Sequence, residues 1–167
     1  MKTFLLISTL MFSFSIFAIE IGESIPQFTI QDHMNNTVRS DDFKNKWTVL
    51  FFYPKADTPG CTKQACAFRD NSKKITEMGV QIYGISINTV EDQKKFSEKY
   101  NLNFPLLADA DAKVSKLFDV KRPFLPVAKR WTFIINPEGK IVDIGEDVDP
   151  VLDSERVVNR IKEIKKK

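Results

Sequence analysis

Two apolar runs separated by a helix-length segment constrain the fold more than any other feature of this 167-residue chain. Residues 47–53 (WTVLFFY) and 80–87 (VQIYGISI) are rich in aromatic and β-branched side chains, which is typical of strands buried on both faces. Between them, residues 61–78 contain no Pro or Gly, and Gly79 follows as a helix C-cap. Strands joined by a helix pair in parallel with a right-handed crossover, so the sequence predicts an α/β sheet.

The remaining segments alternate short strands and helices in the same manner. The pattern predicts a helix from Thr89 to about Tyr100, a strand at 105–107, a short helix near 114–118, a hairpin of strands at 132–135 and 140–144, and a last helix that contains Val157, Ile161 and Ile164. The hairpin adds antiparallel strands, which gives a mixed central sheet with helices on both faces. No linker rich in Gly, Ser or Pro divides residues 19–167, so we expect one domain.

Residues 1–18 (MKTFLLISTLMFSFSIFA) have the composition of a secretory signal peptide. A single Lys precedes an apolar stretch, and the small residue Ala18 marks a cleavage site. We expect cleavage there, export to an oxidising compartment such as the bacterial periplasm, and no stable membrane association afterwards. The alternative is an uncleaved N-terminal anchor, for which the apolar run is slightly short.

Composition excludes several classes of protein. With 43% hydrophobic and 28% charged residues, the chain is not disordered. Removal of residues 1–18 leaves 24 basic and 22 acidic residues, and this balance gives no support for a nucleic-acid or anionic-membrane partner. Two Cys and one His are too few for a structural zinc site, so we expect no metal and no cofactor.

Cys61 occupies a position that favours reactivity. It follows the first predicted strand and a turn containing Pro and Gly, at or near the start of the next helix. A free thiol, with a pKa near 8.5, is only about 3% ionised at pH 7. Unpaired amide groups and the partial positive charge of a helix N-terminus stabilise a thiolate. The position therefore predicts a nucleophilic cysteine.

Cys66 lies five residues after Cys61, a C-x4-C spacing. In an intact helix this spacing places the two Cα atoms roughly 8–9 Å apart on different faces, whereas a disulfide tolerates about 7 Å. Two alternatives follow. Either a permanent disulfide joins them in a segment that is not helical, or the first helical turns unwind when the bond forms.

The sequence around Cys61 resembles that of the peroxiredoxins. Residues 53–62 (YPKADTPGCT) contain the P-x-x-x-T-x-x-C active-site motif of that family, and the C-x4-C spacing is similar to the Q-type subgroup, also called bacterioferritin comigratory protein. Residues 22–28 resemble the opening segment of the family, and residues 130–139 resemble its late strand and hairpin. The resemblance covers nearly the whole predicted mature chain and implies a thioredoxin-like fold.

The resemblance also implies a role for each of five residues. Cys61 would be the peroxidatic cysteine, oxidised by a hydroperoxide to a sulfenic acid, and Cys66 would resolve it to an intramolecular disulfide. The hydroxyl of Thr58 would orient the thiolate and the peroxide. Arg130 would hold positive charge beside the sulfur, and Pro54 would shield the pocket from water. The implied partners are a hydroperoxide substrate and a thioredoxin-like or glutaredoxin-like reductant, and the implied oligomeric state is a monomer or weak dimer.

Simpler interpretations remain open for several of these residues. Cys61 and Cys66 could form a structural disulfide, although so short a loop restrains the unfolded chain only modestly. Thr58 could cap the helix, and Arg130 could be a surface cation. Trp131 stands where the family commonly has a small residue, and we expect it either to cover the pocket rim or to alter substrate preference.

Two classes of function follow from these interpretations. The first is a thiol peroxidase that reduces hydrogen peroxide and organic hydroperoxides. The second is a thioredoxin-like thiol–disulfide oxidoreductase or a non-catalytic redox or binding module. The absence of a C-x-x-C motif argues against the oxidoreductase, and the intact motif from Thr58 to Cys61 argues against a non-catalytic module.

Overall fold

A computed structural model describes residues 19–166 as one α/β arrangement of seven strands and four α-helices. The strands are β1 (Thr29–Gln31), β2 (Thr37–Arg39), β3 (Trp47–Phe52), β4 (Val80–Ser86), β5 (Leu106–Ala108), β6 (Thr132–Ile135) and β7 (Ile141–Gly145). The helices are α1 (Pro59–Glu77), α2 (Val90–Tyr100), α3 (Lys113–Leu117) and α4 (Asp153–Ile164). The predicted signal peptide lies outside the described residues. Within those residues, no helix is long and apolar enough to cross a bilayer.

The five central strands form a mixed sheet in the order β5-β4-β3-β6-β7. β3 and β4 are parallel, as the β3–α1–β4 pattern predicts, and β5 is parallel to β4, while β6 runs antiparallel to β3 and β7 antiparallel to β6. The α/β fold class predicted from the sequence is confirmed. The sequence analysis did not predict β1 and β2, which form a separate two-stranded hairpin; three residues are too few for a clear strand pattern.

Alternation along β3 divides the core between the two faces of the sheet. Val49, Phe51 and Tyr53 pack on the face covered by α1 and α4, where the rings of Phe51 and Phe68 stack with centroids 4.4 Å apart. Leu50 and Phe52 pack on the other face, which α3, the β1–β2 hairpin and a short 3-10 helix (Ser40–Phe43) cover. Cys61 belongs to the first face and is 1% exposed.

The register between β3 and β6 brings two distant parts of the sequence together. Phe51 pairs with Thr132, and the Phe52 N–H donates to the carbonyl of Trp131 at 2.7 Å. Because the strands are antiparallel, the beginning of β6 lies beside the end of β3, where α1 starts. Arg130, just before β6, is therefore delivered to the end of the sheet that holds Cys61.

Gly84 in β4 is required by close packing on the Cys61 face. A Cβ at this position would lie 2.7 Å from Cζ of Phe51 and 2.8 Å from Cδ2 of Leu106, and both side chains are fully buried. We expect Gly84→Ala to lower the free energy of unfolding by about 1–3 kcal/mol through overpacking. Urea unfolding measures this difference, and an unchanged transition midpoint would contradict the close contact.

Candidate active site

Cys61 is the third residue of α1, buried where the chain leaves β3. Pro59 occupies the beginning of the helix, where its missing N–H costs no hydrogen bond. The first helical bond runs from the Thr62 N–H to the Thr58 carbonyl at 2.8 Å. The amide of Cys61 therefore precedes the hydrogen-bond ladder of the helix and is available to a ligand beside the sulfur.

Arg130 contacts the Cys61 sulfur directly. Its Nη2 donates to Cys61 Sγ at 3.5 Å, and its Nη1 donates to Oε1 of Gln64 at 2.7 Å. Gly60 leaves room for this approach, since a Cβ there would lie 3.2 Å from Nη2. The planar guanidinium thus spans two residues of α1 and places a positive charge beside the thiol. Arg130 is half-buried and bonded to α1, so it is not a free surface cation, and the β3–β6 register is what turns it toward Cys61.

Thr58 stands at the N-cap position of α1 but does not use its side chain as a cap. Its hydroxyl donates to the Lys55 carbonyl at 2.9 Å. This bond consumes the hydroxyl proton and leaves the oxygen lone pairs available as acceptors. The structure therefore gives no support to side-chain capping as the role of Thr58. Pro54 is half-buried, two residues after the end of β3.

The loop between β3 and α1 is attached to the neighbouring β4–α2 connection. The N–H of Ala56, in the middle of the loop, donates to Asn88 Oδ1 at 3.0 Å. Asp57, which has a φ of 57°, accepts from Lys99 Nζ at 2.8 Å and from the Tyr100 hydroxyl at 2.7 Å. The hydrogen bond from Lys99, followed by the one from Tyr100, lowers the pKa of Asp57. These contacts hold the chain in place immediately before Cys61.

A series of hydrogen-bonded, buried polar side chains next to the end of β3 was not predicted from the sequence. The hydroxyl of Tyr53 donates to Oε1 of Gln93, which in turn donates from Nε2 to Ser86 Oγ at 3.0 Å and to the Leu107 carbonyl at 2.8 Å. Burial raises the pKa of Tyr53, so it remains a neutral donor near the thiol. Gln93 is polar and fully buried, which a helical hydrophobic pattern does not reveal.

Cys66 lies in the same unbroken helix as Cys61, and both are free thiols. Cys66 is half-buried. Five helical residues correspond to a rise of about 7.5 Å and a rotation that turns the two side chains to different faces. The alternative of a permanent disulfide in a non-helical segment is therefore inconsistent with the structure. A bond between them requires the start of α1 to unwind.

Trp131 lies on the opposite face of the sheet from Cys61. Its ring packs with the core residues on the face of Leu50 and Phe52. Its centroid lies 6.3 Å from that of Phe133 and 4.6 Å from Lys129 Nζ. Successive residues of an extended chain point to opposite faces, so the chain that turns Arg130 toward Cys61 turns Trp131 away. The expectation that Trp131 covers the rim of the Cys61 pocket is wrong.

Two further residues complete the surroundings of Arg130. Gln64, which accepts from Arg130, also donates from Nε2 to Asp153 Oδ2 at 2.9 Å. Gln64 follows Cys61 by three residues, and this spacing on a helix is a signal that it lies near the sulfur. Asp153 is 89 residues away on α4, and the sequence contains no signal that would place it here.

Comparison with known proteins gives consistent relatives. Residues 21–144 match the AhpC/TSA family. The chain is 42% identical over 130 residues to a putative peroxiredoxin bcp from Coxiella burnetii, covering 74% of this chain and 86% of that protein. It is 41% identical over 130 residues to peroxiredoxin Bcp from Bacillus subtilis, with 74% and 83% covered.

Solved structures agree with these sequence matches. Peroxidoxin BcpB from Mycobacterium tuberculosis superposes with a TM-score of 0.82 at 35% identity, covering 87% of this chain and 98% of that one. A PrxQ mutant from Xylella fastidiosa superposes with a TM-score of 0.81 at 28% identity, covering 86% and 96%.

Proposed function

This chain belongs to the AhpC/TSA family and is a thiol peroxidase of the Bcp/PrxQ peroxiredoxin type, and we propose that it reduces hydroperoxides through a sulfenic acid at Cys61. The observation that carries the assignment of Cys61 is its contact with Arg130 at the first turn of α1. A buried sulfur beside a guanidinium and free helix amides is arranged for attack on an oxygen that leaves with negative charge.

The first step is displacement at oxygen. The Cys61 thiolate attacks the terminal peroxide oxygen, the O–O bond breaks, and the leaving oxygen takes a proton and departs as water or an alcohol. The sulfur gains the transferred oxygen and becomes a sulfenic acid. Arg130 stabilises the negative charge that develops on the oxygens, and the amide of Cys61 adds a second donor.

Thr58 and Pro54 shape the peroxide site in this proposal. The hydroxyl proton of Thr58 is directed to the Lys55 carbonyl. The Thr58 oxygen therefore accepts a hydrogen bond from the peroxide and orients the end of the peroxide that is farther from Cys61. Pro54, without an N–H, limits water access at the end of β3. Both roles rest on the position of the residues in the loop before Cys61.

The second step forms a disulfide. The Cys66 sulfur attacks the sulfenic sulfur, the S–S bond forms as the S–O bond breaks, and the hydroxyl group leaves as water with the proton of the Cys66 thiol. Since both cysteines lie in α1, the first turns of the helix unwind before attack. The reductant, which we propose to be a thioredoxin-like or glutaredoxin-like dithiol protein, then restores both thiols.

The chain offers less to the alternative functions. A thioredoxin-like oxidoreductase presents a C-x-x-C pair, which is absent from the sequence. A non-catalytic module needs no guanidinium beside a buried thiol, whereas Arg130 is held there by two hydrogen bonds. The peroxidase is therefore the favoured interpretation.

We also propose that residues 1–18 direct export to the periplasm. The support is their composition: one basic residue, an apolar stretch and Ala18. The reductant would then be a periplasmic protein. N-terminal sequencing of the protein from the soluble periplasmic fraction is expected to begin at Ile19, and an intact Met1 retained in the membrane fraction would support the uncleaved anchor instead.

The direct test of the peroxidase is one turnover of the reduced protein with one equivalent of hydrogen peroxide. We expect rapid consumption of peroxide and a loss of about 2 Da in intact mass, which corresponds to a disulfide. Cys66→Ser is the matched variant: it is expected to react equally fast and gain about 16 Da instead. A wild-type rate no faster than that of a free thiol would contradict the proposed function.

A second test addresses the charge beside Cys61. Arg130→Lys keeps the charge but has one nitrogen, which cannot reach both Gln64 and Cys61 as the guanidinium does. We expect the peroxide rate to fall on the order of a hundredfold. Arg122→Lys is the control, because Arg122 lies in the same loop but pairs with Asp147 at 3.7 Å. Equal rates for the two variants would contradict the proposed role of Arg130.

A further inference from the structure

A buried carboxylate on α4 is connected to the reacting sulfur by an unbroken series of hydrogen bonds. Asp153 Oδ2 accepts from Gln64 Nε2 at 2.9 Å, Gln64 Oε1 accepts from Arg130 Nη1 at 2.7 Å, and Arg130 Nη2 reaches Cys61 Sγ at 3.5 Å. Gln64 is 0% exposed and Asp153 is 1% exposed. The Asp153–Gln64 part of this path is closed to water, so its geometry is set by the protein.

The orientation of the Gln64 amide depends on Asp153. An ionised carboxylate only accepts hydrogen bonds and a guanidinium only donates them, while an amide has one end of each kind. With Asp153 on one side and Arg130 on the other, the NH2 group must face α4 and the carbonyl must face Arg130. In the reversed orientation, the amide oxygen would face the Asp153 carboxylate and the NH2 group would face the Arg130 guanidinium. Two acceptors and two donors would then lie opposite each other, which is costly where water is excluded.

Asp153 is itself fixed from two other directions. The Thr132 hydroxyl donates to Oδ2 at 2.6 Å, and Arg156 Nε donates to Oδ1 at 3.2 Å. Arg156 is held by a second acid, Asp143, at 2.6 Å, and it crosses Gly145, where a Cβ would lie 2.3 Å from Nη2. These donors keep the carboxylate in one place relative to α1.

Opposing influences act on the ionisation of this carboxyl. Burial raises the pKa of Asp153, while its hydrogen bonds with Thr132 and Gln64 and the nearby charge of Arg156 act in the opposite direction. Each of these three side chains donates a hydrogen bond to the carboxyl. These three donors favour the ionised carboxylate of Asp153, which accepts hydrogen bonds as the orientation of the Gln64 amide requires.

We propose that Asp153 is a positioning residue for Arg130, acting through the amide of Gln64. The inference rests on the proposed peroxidase function and extends its site to α4. Without Asp153, the NH2 group of Gln64 loses its acceptor, so the carbonyl is held only by Arg130 itself and no longer fixes the guanidinium beside the sulfur. The consequence is a slower reaction of Cys61 with peroxide.

The first variant removes the carboxylate. Asp153→Ala is expected to lower the second-order rate of Cys61 with hydrogen peroxide by about ten- to a hundredfold, because small displacements of a charged donor have effects of this size. Ser154→Ala is the matched control. Ser154 is the next residue of α4, fully buried, and it accepts from Asn71 of α1 at 2.9 Å, so it joins the same two helices without any link to Arg130. Its rate is expected to equal that of the wild type.

A donor–acceptor exchange separates positioning from general destabilisation. Gln64→Glu alone places two buried carboxylates, at positions 64 and 153, opposite each other and is expected to slow the reaction. Adding Asp153→Asn to that variant restores one amide and one carboxylate, with their positions exchanged. The new amide at position 153 donates to one oxygen of the new carboxylate at position 64, and the other oxygen of that carboxylate faces Arg130. We expect the double variant to recover to within about threefold of wild type, since coupling between contacting residues is non-additive.

A spectroscopic measurement keeps the proposal testable apart from peroxide chemistry. The guanidinium NMR signals of Arg130, assigned from Arg130→Lys, are expected to be protected from solvent exchange in wild type and in Ser154→Ala, and to lose protection in Asp153→Ala. Retained protection with an unchanged peroxide rate in folded Asp153→Ala would overturn the positioning role, as would failure of the double variant to exceed Gln64→Glu. A slow wild-type reaction together with the expected NMR pattern would overturn the peroxidase function alone.

Discussion

The antiparallel register between β6 and β3 is the constraint on which the rest of the site depends. The bond from the Phe52 N–H to the Trp131 carbonyl fixes which residues before β6 face α1. A slip of one residue would exchange the faces of the whole strand. Trp131 would then meet the first turn of α1, and Arg130 would lie among the aromatic rings of the other core cluster, where an unpaired charge is strongly unfavourable.

In the proposed mechanism, the start of α1 has to satisfy two opposed requirements. Attack on peroxide needs the first turn intact, because the helix amides and the Arg130 contact act only when Cys61 holds its helical position. Disulfide formation needs that same turn undone. The loop before Cys61 remains attached through Ala56 to Asn88 in the β4–α2 connection and through Asp57 to Lys99 of α2, so unwinding is confined to the segment after Thr58. In this mechanism the opening is local: it leaves β3 in place and changes the core only at the start of α1, where Cys61 belongs to it.

The sequence is most informative where one residue pattern determines one structure. The apolar runs at 47–53 and 80–87 with a helix between them predict the parallel pair β3 and β4, and the structure has it. The short strand patterns at 132–135 and 140–144 predict the β6–β7 hairpin, and the structure has it as well. Local patterns do not state which strand edge the hairpin joins, and this is why only a family resemblance placed Arg130 beside Cys61 and why the position of Trp131 was left open between two alternatives.

Long-range polar contacts are the part of the site that local patterns cannot supply. Gln64 is visible as a neighbour of Cys61 by helical spacing, but its buried partner Asp153 comes from a helix that begins after β7. An acidic residue in the first turn of a helix is ordinarily explained by the helix dipole. Only the packing of α4 against α1 turns this carboxylate inward.

That packing links α4 to the chemistry at the start of α1. Asp153 and Asp143 share the guanidinium of Arg156, so the middle of β7, the start of α4 and the amide of Gln64 form one connected polar cluster next to Arg130. A buried charge of this kind contributes little net stability compared with well-packed apolar groups. Its presence here is understood more readily as a geometric requirement of the arginine beside Cys61 than as a source of stability for the fold.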